Sequence, residues 1–245
     1  MKAIADLRVK LYADGADLTA MRALYRLPYV RGFTTNPTLM RIAGVRDYDA
    51  FVREAVSAIP DRPISFEVLS DEFDEMESQA RQLAAWGPCV YVKIPITNTR
   101  GEPSDDLIHR LSHTGVKVNV TAVLTLDQVA RAVQALQGGA PANVSMFAGR
   151  IADTGRDPVP ILIGALDILA VTPRAELIWA SPRELLNVFQ ADAVGCHIIT
   201  LTGDILKKLD LVGRDLGAFS LETVRMFRDD AVKAGFALPS AGRPT

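Results

Sequence analysis

A lysine stands in the middle of a run that reads as a buried strand. "YVKIPIT" spans 91–97, and Lys93 is flanked by Val90, Tyr91, Val92, Ile94 and Ile96. β-Branched and aromatic residues in such a run favour a strand. Taking an ammonium out of water is costly unless it is paired or neutralised. A desolvated lysine near other cationic groups loses its proton more readily and attacks carbonyls. The product is a Schiff base, which draws electrons from the adjacent carbon and lets a C–C bond break or form. Two further roles follow. One group takes a proton from the hydroxyl of the breaking bond, and another moves protons while the Schiff base forms. Carboxylates suit both roles; Asp14 ends one other strand-like run and Glu67 lies in another. The plainer alternative is that Lys93 only pairs with Glu67 or Asp14 as a structural ion pair.

These residues need elements that bring them together. Short β-branched runs cover 8–14, 30–36, 63–69, 89–95, 116–122, 142–148, 176–180 and 196–201. Amphipathic segments lie between them. "TLDQVARAVQAL" opens with a Thr-x-x-Gln capping box, "SPRELLNVF" opens with Ser-x-x-Glu, and "NPTLM" puts Pro37 after an Asn36 cap. Eight strand–helix units in a chain of 245 residues predict an α/β fold, a single (β/α)8 TIM barrel. No Gly-x-Gly-x-x-Gly follows the first run, which disfavours a doubly wound open sheet. The segment 220–236 reads as an extra C-terminal helix, placed across the barrel or against a second subunit. One domain is expected over 1–236, with a disordered tail over 237–245.

In a barrel, function gathers at the C-terminal ends of the strands. The polar residues there are Asp14, then Thr34, Thr35 and Asn36, then Glu67, Lys93, Asn119, Thr121 and Ser145. Arg150 follows the sixth run, and Ser181 and Arg183 follow the seventh. They are too many for a passive core. Singly, each has a plain explanation: Asp14 in a turn, Asn36 and Ser181 as helix caps, Thr121 as an ordinary strand residue. A capped helix start also binds phosphate, and Arg183 adds a bidentate donor, so Arg150, Ser181 and Arg183 form a candidate phosphate site.

Composition narrows the partners. With 27 basic and 29 acidic residues, the net charge of -2 gives no attraction to nucleic acid or an anionic membrane. No apolar run is long enough to span a bilayer. The opening "MKAIADLRVK" lacks the apolar core of a signal peptide, so a cytoplasmic location is expected. Cys89 and Cys196 read as buried free thiols in a reducing compartment. His109 and His113 share a helix face with no acidic partner and read as solvated. His197, Trp86 and Trp179 read as core residues.

Seven motifs in order, "ADGAD", "GFTTNPTL", "SFEVL", "YVKIPIT", "VNVTAVLT", "VSMFAGRIAD" and "WASPRELLN", make the chain resemble the transaldolase family of Schiff-base aldolases from about residue 8 to about 235. "TTNPTL" and "FAGRI" are the most specific. The resemblance implies a metal-independent, cofactor-free enzyme. It implies Lys93 as the Schiff-base lysine and Asp14 as the acid/base for C–C cleavage. Glu67 and Thr121 would hold the water that serves Schiff-base formation. Asn36, Asn119 and Ser145 would bind the hydroxyls of a dihydroxyacetone unit, with Thr34 supporting them. Arg150, Ser181 and Arg183 would grip the phosphate.

Transaldolases carry glutamate and phenylalanine where the related fructose 6-phosphate aldolases carry glutamine and tyrosine. Glu67 and Phe147 therefore imply dihydroxyacetone transfer between sugar phosphates. A fructose 6-phosphate aldolase, a transaldolase for a sulfonated sugar and a sugar-phosphate-binding barrel without chemistry are the alternatives. A homo-oligomer is expected. The chain departs from the long members of the family in its compact length, in Met146, and in the polar "ITNTRGEP" after Lys93.

Overall fold

The computed structural model describes residues 3–238. Eight parallel strands close into one barrel in sequence order. They are β1 (Lys10–Asp14), β2 (Val30–Thr34), β3 (Ile64–Glu67), β4 (Val90–Pro95), β5 (Val118–Val123), β6 (Ala142–Met146), β7 (Ala175–Trp179) and β8 (Ile198–Thr202). β1 pairs with β8 to complete the ring. The expected barrel is thus observed, with strands generally shorter than the runs that announce them. The run 63–69, for example, contracts to β3: the Val68 N–H still reaches the Lys93 carbonyl, but Leu69 turns away and gives its N–H to Gln79.

Helices cover the outside. They are α1 (Leu18–Tyr25), α2 (Pro37–Ile42), α3 (Tyr48–Ala58), α4 (Phe73–Ala85), α5 (Asp105–His113), α6 (Leu126–Leu136), α7 (Ala148–Ala152), α8 (Pro158–Leu169), α9 (Leu186–Val194), α10 (Gly203–Lys207) and α11 (Leu216–Lys233). Their starts are written in the sequence. The side chains of Asp17, Asn36, Asp47, Asp157 and Asp215 each accept a first-turn backbone N–H. Thr125 and Gln128 form the expected capping box. The Ser-x-x-Glu box does not form. α9 starts at Leu186, and Asn187 instead accepts the N–H groups of Arg183 and Glu184. Ser181 sits earlier, in a left-handed turn with φ 59°, so no helix start is available there to hold a phosphate. α8 escapes the sequence pattern because "PVPILIGALDIL" is apolar on nearly every side.

The main core lies between barrel and helices. Ile64, Phe66, Val92, Ile94 and Val120 face outward to meet Phe51, Met76, Leu107 and Val129. A second cluster of Tyr12, Ile178, Ala180 and Ile198 fills part of the barrel interior, with Phe147 against it. Period two explains the division, since alternate residues of each strand face opposite sides. The expected core aromatics divide: Trp179 is fully buried, and Trp86 is half-buried beneath the Arg53 guanidinium. His197 lies just before β8, half-buried, and its Nδ1 accepts the Leu177 N–H at 3.0 Å.

Cys196 is buried and burial pushes its thiol up to about 12, whereas Cys89 is only half-buried; both are free. His109 and His113 are exposed, with ring centroids 3.9 Å apart. The polar 96–103 segment folds back on itself through a Thr97–Pro103 bridge, and Asp71 and Glu72 clasp its Thr99 and Arg100. α11 begins four residues before the expected helix and buries none of its residues. Of the expected tail, only Ala237 and Leu238 fall among the described residues. No helix among those residues is long and apolar enough to cross a membrane.

The Tyr12 ring packs against the backbone of Gly32. A Cβ at Gly32 would stand 2.4 Å from the ring. Gly32→Ala should therefore destabilise the barrel by about 1–3 kcal/mol in urea unfolding. In a Tyr12→Val background most of that loss should vanish; an equal loss in both backgrounds would show that the ring is not the obstacle.

Candidate active site

Strand register builds the site. Glu67 on β3 and Lys93 on β4 are lateral partners, so their side chains leave the sheet on the same face. Lys93 Nζ meets Glu67 Oε2 at 2.8 Å, with the two side chains only 8% and 18% exposed. The ammonium also donates to the Thr35 carbonyl at 2.9 Å. The partners of Lys93 are thus acceptors, not the cationic neighbours that the sequence reading assigns to it. Taken alone, this is the structural pair of the plainer alternative. Its surroundings are what go beyond that alternative.

Asp14 ends β1 on the same interior face. Its Oδ1 accepts the Thr34 hydroxyl at 2.8 Å. Thr34 spends its proton there, so the close Thr200 hydroxyl donates to Thr34 in turn. Burial pushes the Asp14 carboxyl above the usual range, against the opposing pull of the Lys93 ammonium and the Thr34 hydroxyl. Deeper still, Asn119 accepts from Ser145 at 2.7 Å and donates to Ser65 at 3.1 Å. Thr121 Oγ1 is buried with no hydrogen-bond partner among the described residues. Asn36 caps α2 through Oδ1, which leaves its amide nitrogen free to serve the site.

All of this opens into one cavity of about 550 Å³ at the C-terminal mouth of the barrel. Of the thirteen residues singled out from sequence, eleven line it: Asp14, Thr34, Asn36, Glu67, Lys93, Thr121, Ser145, Phe147, Arg150, Ser181 and Arg183; Thr35 instead gives its hydroxyl to the Ser65 carbonyl. Asn119 lies beneath the cavity and reaches it through Ser145. The Arg150 guanidinium lies over the Phe147 ring at 5.6 Å. Arg183 is held by Asp153 through a two-point contact. Gly149 lets α7 approach this wall. A Cβ there would fall 1.6 Å from the Ser181 carbonyl oxygen.

The sequence reading passed over Thr200, Thr202 and Ala122, which also line the cavity. The two threonines follow the same period-two rule as Asp14 and were open to the same argument. Ala122 gave no signal. It has φ 60°, where the β5–β6 register breaks between Val120 and Val123. A left-handed alanine is strained, and such strain gathers at functional sites. Among the described residues no cluster of three His, Cys, Asp or Glu residues could hold a metal.

A sequence model described as Transaldolase/Fructose-6-phosphate aldolase matches residues 11–238. The chain belongs to the transaldolase/fructose-6-phosphate aldolase family. A "Probable transaldolase 2" of Listeria monocytogenes is 35% identical over 202 residues, covering 82% of this chain and 88% of the relative. A "Probable transaldolase" of Streptococcus equi subsp. zooepidemicus is 36% identical over 204 residues, covering 82% and 90%. Among solved structures, one described as "Native KDPGal structure" superposes with a TM-score of 0.53 at 16% identity, over 79% of this chain and 82% of that one. A mandelate oxidase gives 0.55 at 14% identity, over 82% and 67%. Both share the barrel fold.

In this family member the raised Asp14 carboxyl makes a stability prediction. A folded-state pKa above the unfolded value costs stability once the pH exceeds the unfolded value, and the cost disappears below it. Asp14→Asn removes that cost. The variant should be more stable than the wild type by about 0.5–2 kcal/mol at pH 8 in urea unfolding. The gap should close near pH 4, where a model aspartate begins to protonate; a gap independent of pH would refute the linkage.

Proposed function

We propose that the protein is a transaldolase that moves a dihydroxyacetone unit from a ketose phosphate to an aldose phosphate. The observation that carries this is the Lys93–Glu67 pair at the floor of a polar cavity that Asp14 also enters. A pair that served stability alone would need neither a second carboxylate nor an open cavity above it.

Glu67 takes a proton from Lys93, and the free amine attacks the ketose carbonyl carbon. Glu67 returns the proton as water leaves, and the buried Thr121 hydroxyl gives that water a partner. The resulting iminium accepts the electron pair of the adjacent C–C bond. Asp14 takes the proton of the hydroxyl on the departing carbon, and the aldose phosphate leaves. The enamine then attacks the acceptor aldehyde, Asp14 returns its proton, and water releases the new ketose. A carboxyl whose proton affinity is raised by burial suits this two-way role. Asn36 and Ser145 contact the hydroxyls of the three-carbon unit, and Asn119 fixes Ser145. Arg150 and Arg183 grip the terminal anion.

Phe147 favours transfer over release. Its ring is apolar and lies beneath Arg150, so it brings no proton to the enamine. The protein also acts as a homo-oligomer. Leu221, Val224, Met226 and Phe227 of α11 are all exposed, and a second copy of this chain would cover them.

Lys93→Met should abolish transfer while circular dichroism stays that of a folded barrel; substantial residual transfer would end the Schiff-base proposal. Phe147→Tyr should raise the release of free dihydroxyacetone relative to transfer, and an unchanged ratio would remove Phe147 from the argument. Truncation before Leu216 should lower the mass measured by light scattering to that of a monomer. An unchanged mass would move the interface elsewhere.

A further inference from the structure

The two arginines of the anion wall are held differently. Arg150 rests on a ring. Arg183 is fixed twice. Its backbone N–H donates to Asn187 Oδ1 at 2.8 Å, and its guanidinium is held by the Asp153 carboxylate. The form of that second contact matters. Nε donates to Oδ1 at 2.9 Å, and Nη2 donates to Oδ2. This uses the side edge of the guanidinium. An arginine has five N–H donors in a planar fork. Three remain, two on Nη1 and one on Nη2, and one from each of these nitrogens forms the end edge. That edge can grip two oxygens of a tetrahedral anion while Asp153 stays in place.

Asp153 and Arg183 are about half exposed, at 53% and 47%. An exposed pair of this kind adds little to stability. Its consequence is orientation, because a flexible side chain is confined to one plane. Arg183 lines the cavity and Asp153 does not. Hydrogen bonding to Arg183, helped by its charge and that of Arg150, holds the Asp153 carboxyl below its usual range.

We infer that Asp153 is the positioning residue of the anion wall. It holds the side edge of Arg183 so that the end edge faces the terminal oxyanion of the substrate. The inference deepens the proposed function and rests on it for the identity of the substrate.

A simple charge count predicts the opposite effect for the same substitution. Two guanidinium groups and one carboxylate leave the wall with one net positive charge. Asp153→Asn raises that to two, and attraction alone would then tighten anion binding. Positioning predicts that binding weakens.

The test is calorimetric titration of inorganic phosphate into wild-type protein and Asp153→Asn. Steady-state kinetics with a ketose phosphate and with the same ketose lacking its phosphate accompany it. The expected result is phosphate affinity weaker by about tenfold, the loss of roughly one charge-assisted hydrogen bond. KM for the phosphorylated donor should rise similarly with kcat little changed, and the uncharged ketose should react as in the wild type. Equal or tighter phosphate binding by the variant overturns the inference, as does a wild type that binds no phosphate. The titration needs no turnover. A protein that fails to react through Lys93 would therefore defeat the proposed function and still leave the role of Asp153 decided.

Discussion

An ammonium and a carboxylate meet at 2.8 Å inside this barrel, almost wholly out of bulk water. Each alone would be costly there, and breaking such a pair by removing one partner costs about 3–5 kcal/mol. The fold supplies what the pair requires. β3 and β4 put Glu67 and Lys93 on lateral positions of one face, and the Thr35 carbonyl takes a further hydrogen of the ammonium. The apolar half of the interior, Tyr12, Ile178, Ala180 and Ile198, fills the space that the polar half leaves. A barrel closed on itself has no edge along which these positions could slip.

Around that pair the interior is graded. Asp14 is embedded deeply enough that burial raises its affinity for a proton, and the Thr34–Thr200 hydroxyls keep it aligned. Asn119 ties Ser145 to Ser65 across three strands. At the mouth the backbone departs from ideal geometry twice, at Ala122 and at Ser181. Both departures border the cavity, and Gly149 permits the second by leaving room for the Ser181 carbonyl. Stability has been set aside at these points for a fixed arrangement of polar groups.

Much of this was legible in the sequence. The eight runs gave the barrel because strand and helix periods differ and alternate eight times. Lys93, Glu67 and Asp14 stood out because charge inside a β-branched run is improbable without a use. Thr200 and Thr202 obeyed the same rule and were passed over, since threonine is an ordinary strand residue and carries no alarm. α8 was silent because it is apolar on nearly every side, so no stripe marks it. Ser181 misled in the other direction. Its Ser-x-x-Glu pattern is that of a helix cap, but the chain turns left-handed there and α9 starts at Leu186. Local pattern could not reveal that turn, because the close approach of α7 and the β7 loop is a contact between segments far apart in sequence. The same holds for Asp153, whose partner lies thirty residues away.

The central claim is that Lys93 is buried in order to react. It is tested most directly by the intact mass of the protein after incubation with fructose 6-phosphate and borohydride. The account predicts one reduced three-carbon adduct per chain, mapped by peptide analysis to Lys93 and absent from Lys93→Met. A ketose phosphate that binds and turns over without a borohydride-trapped adduct, or an adduct on another lysine, would contradict it.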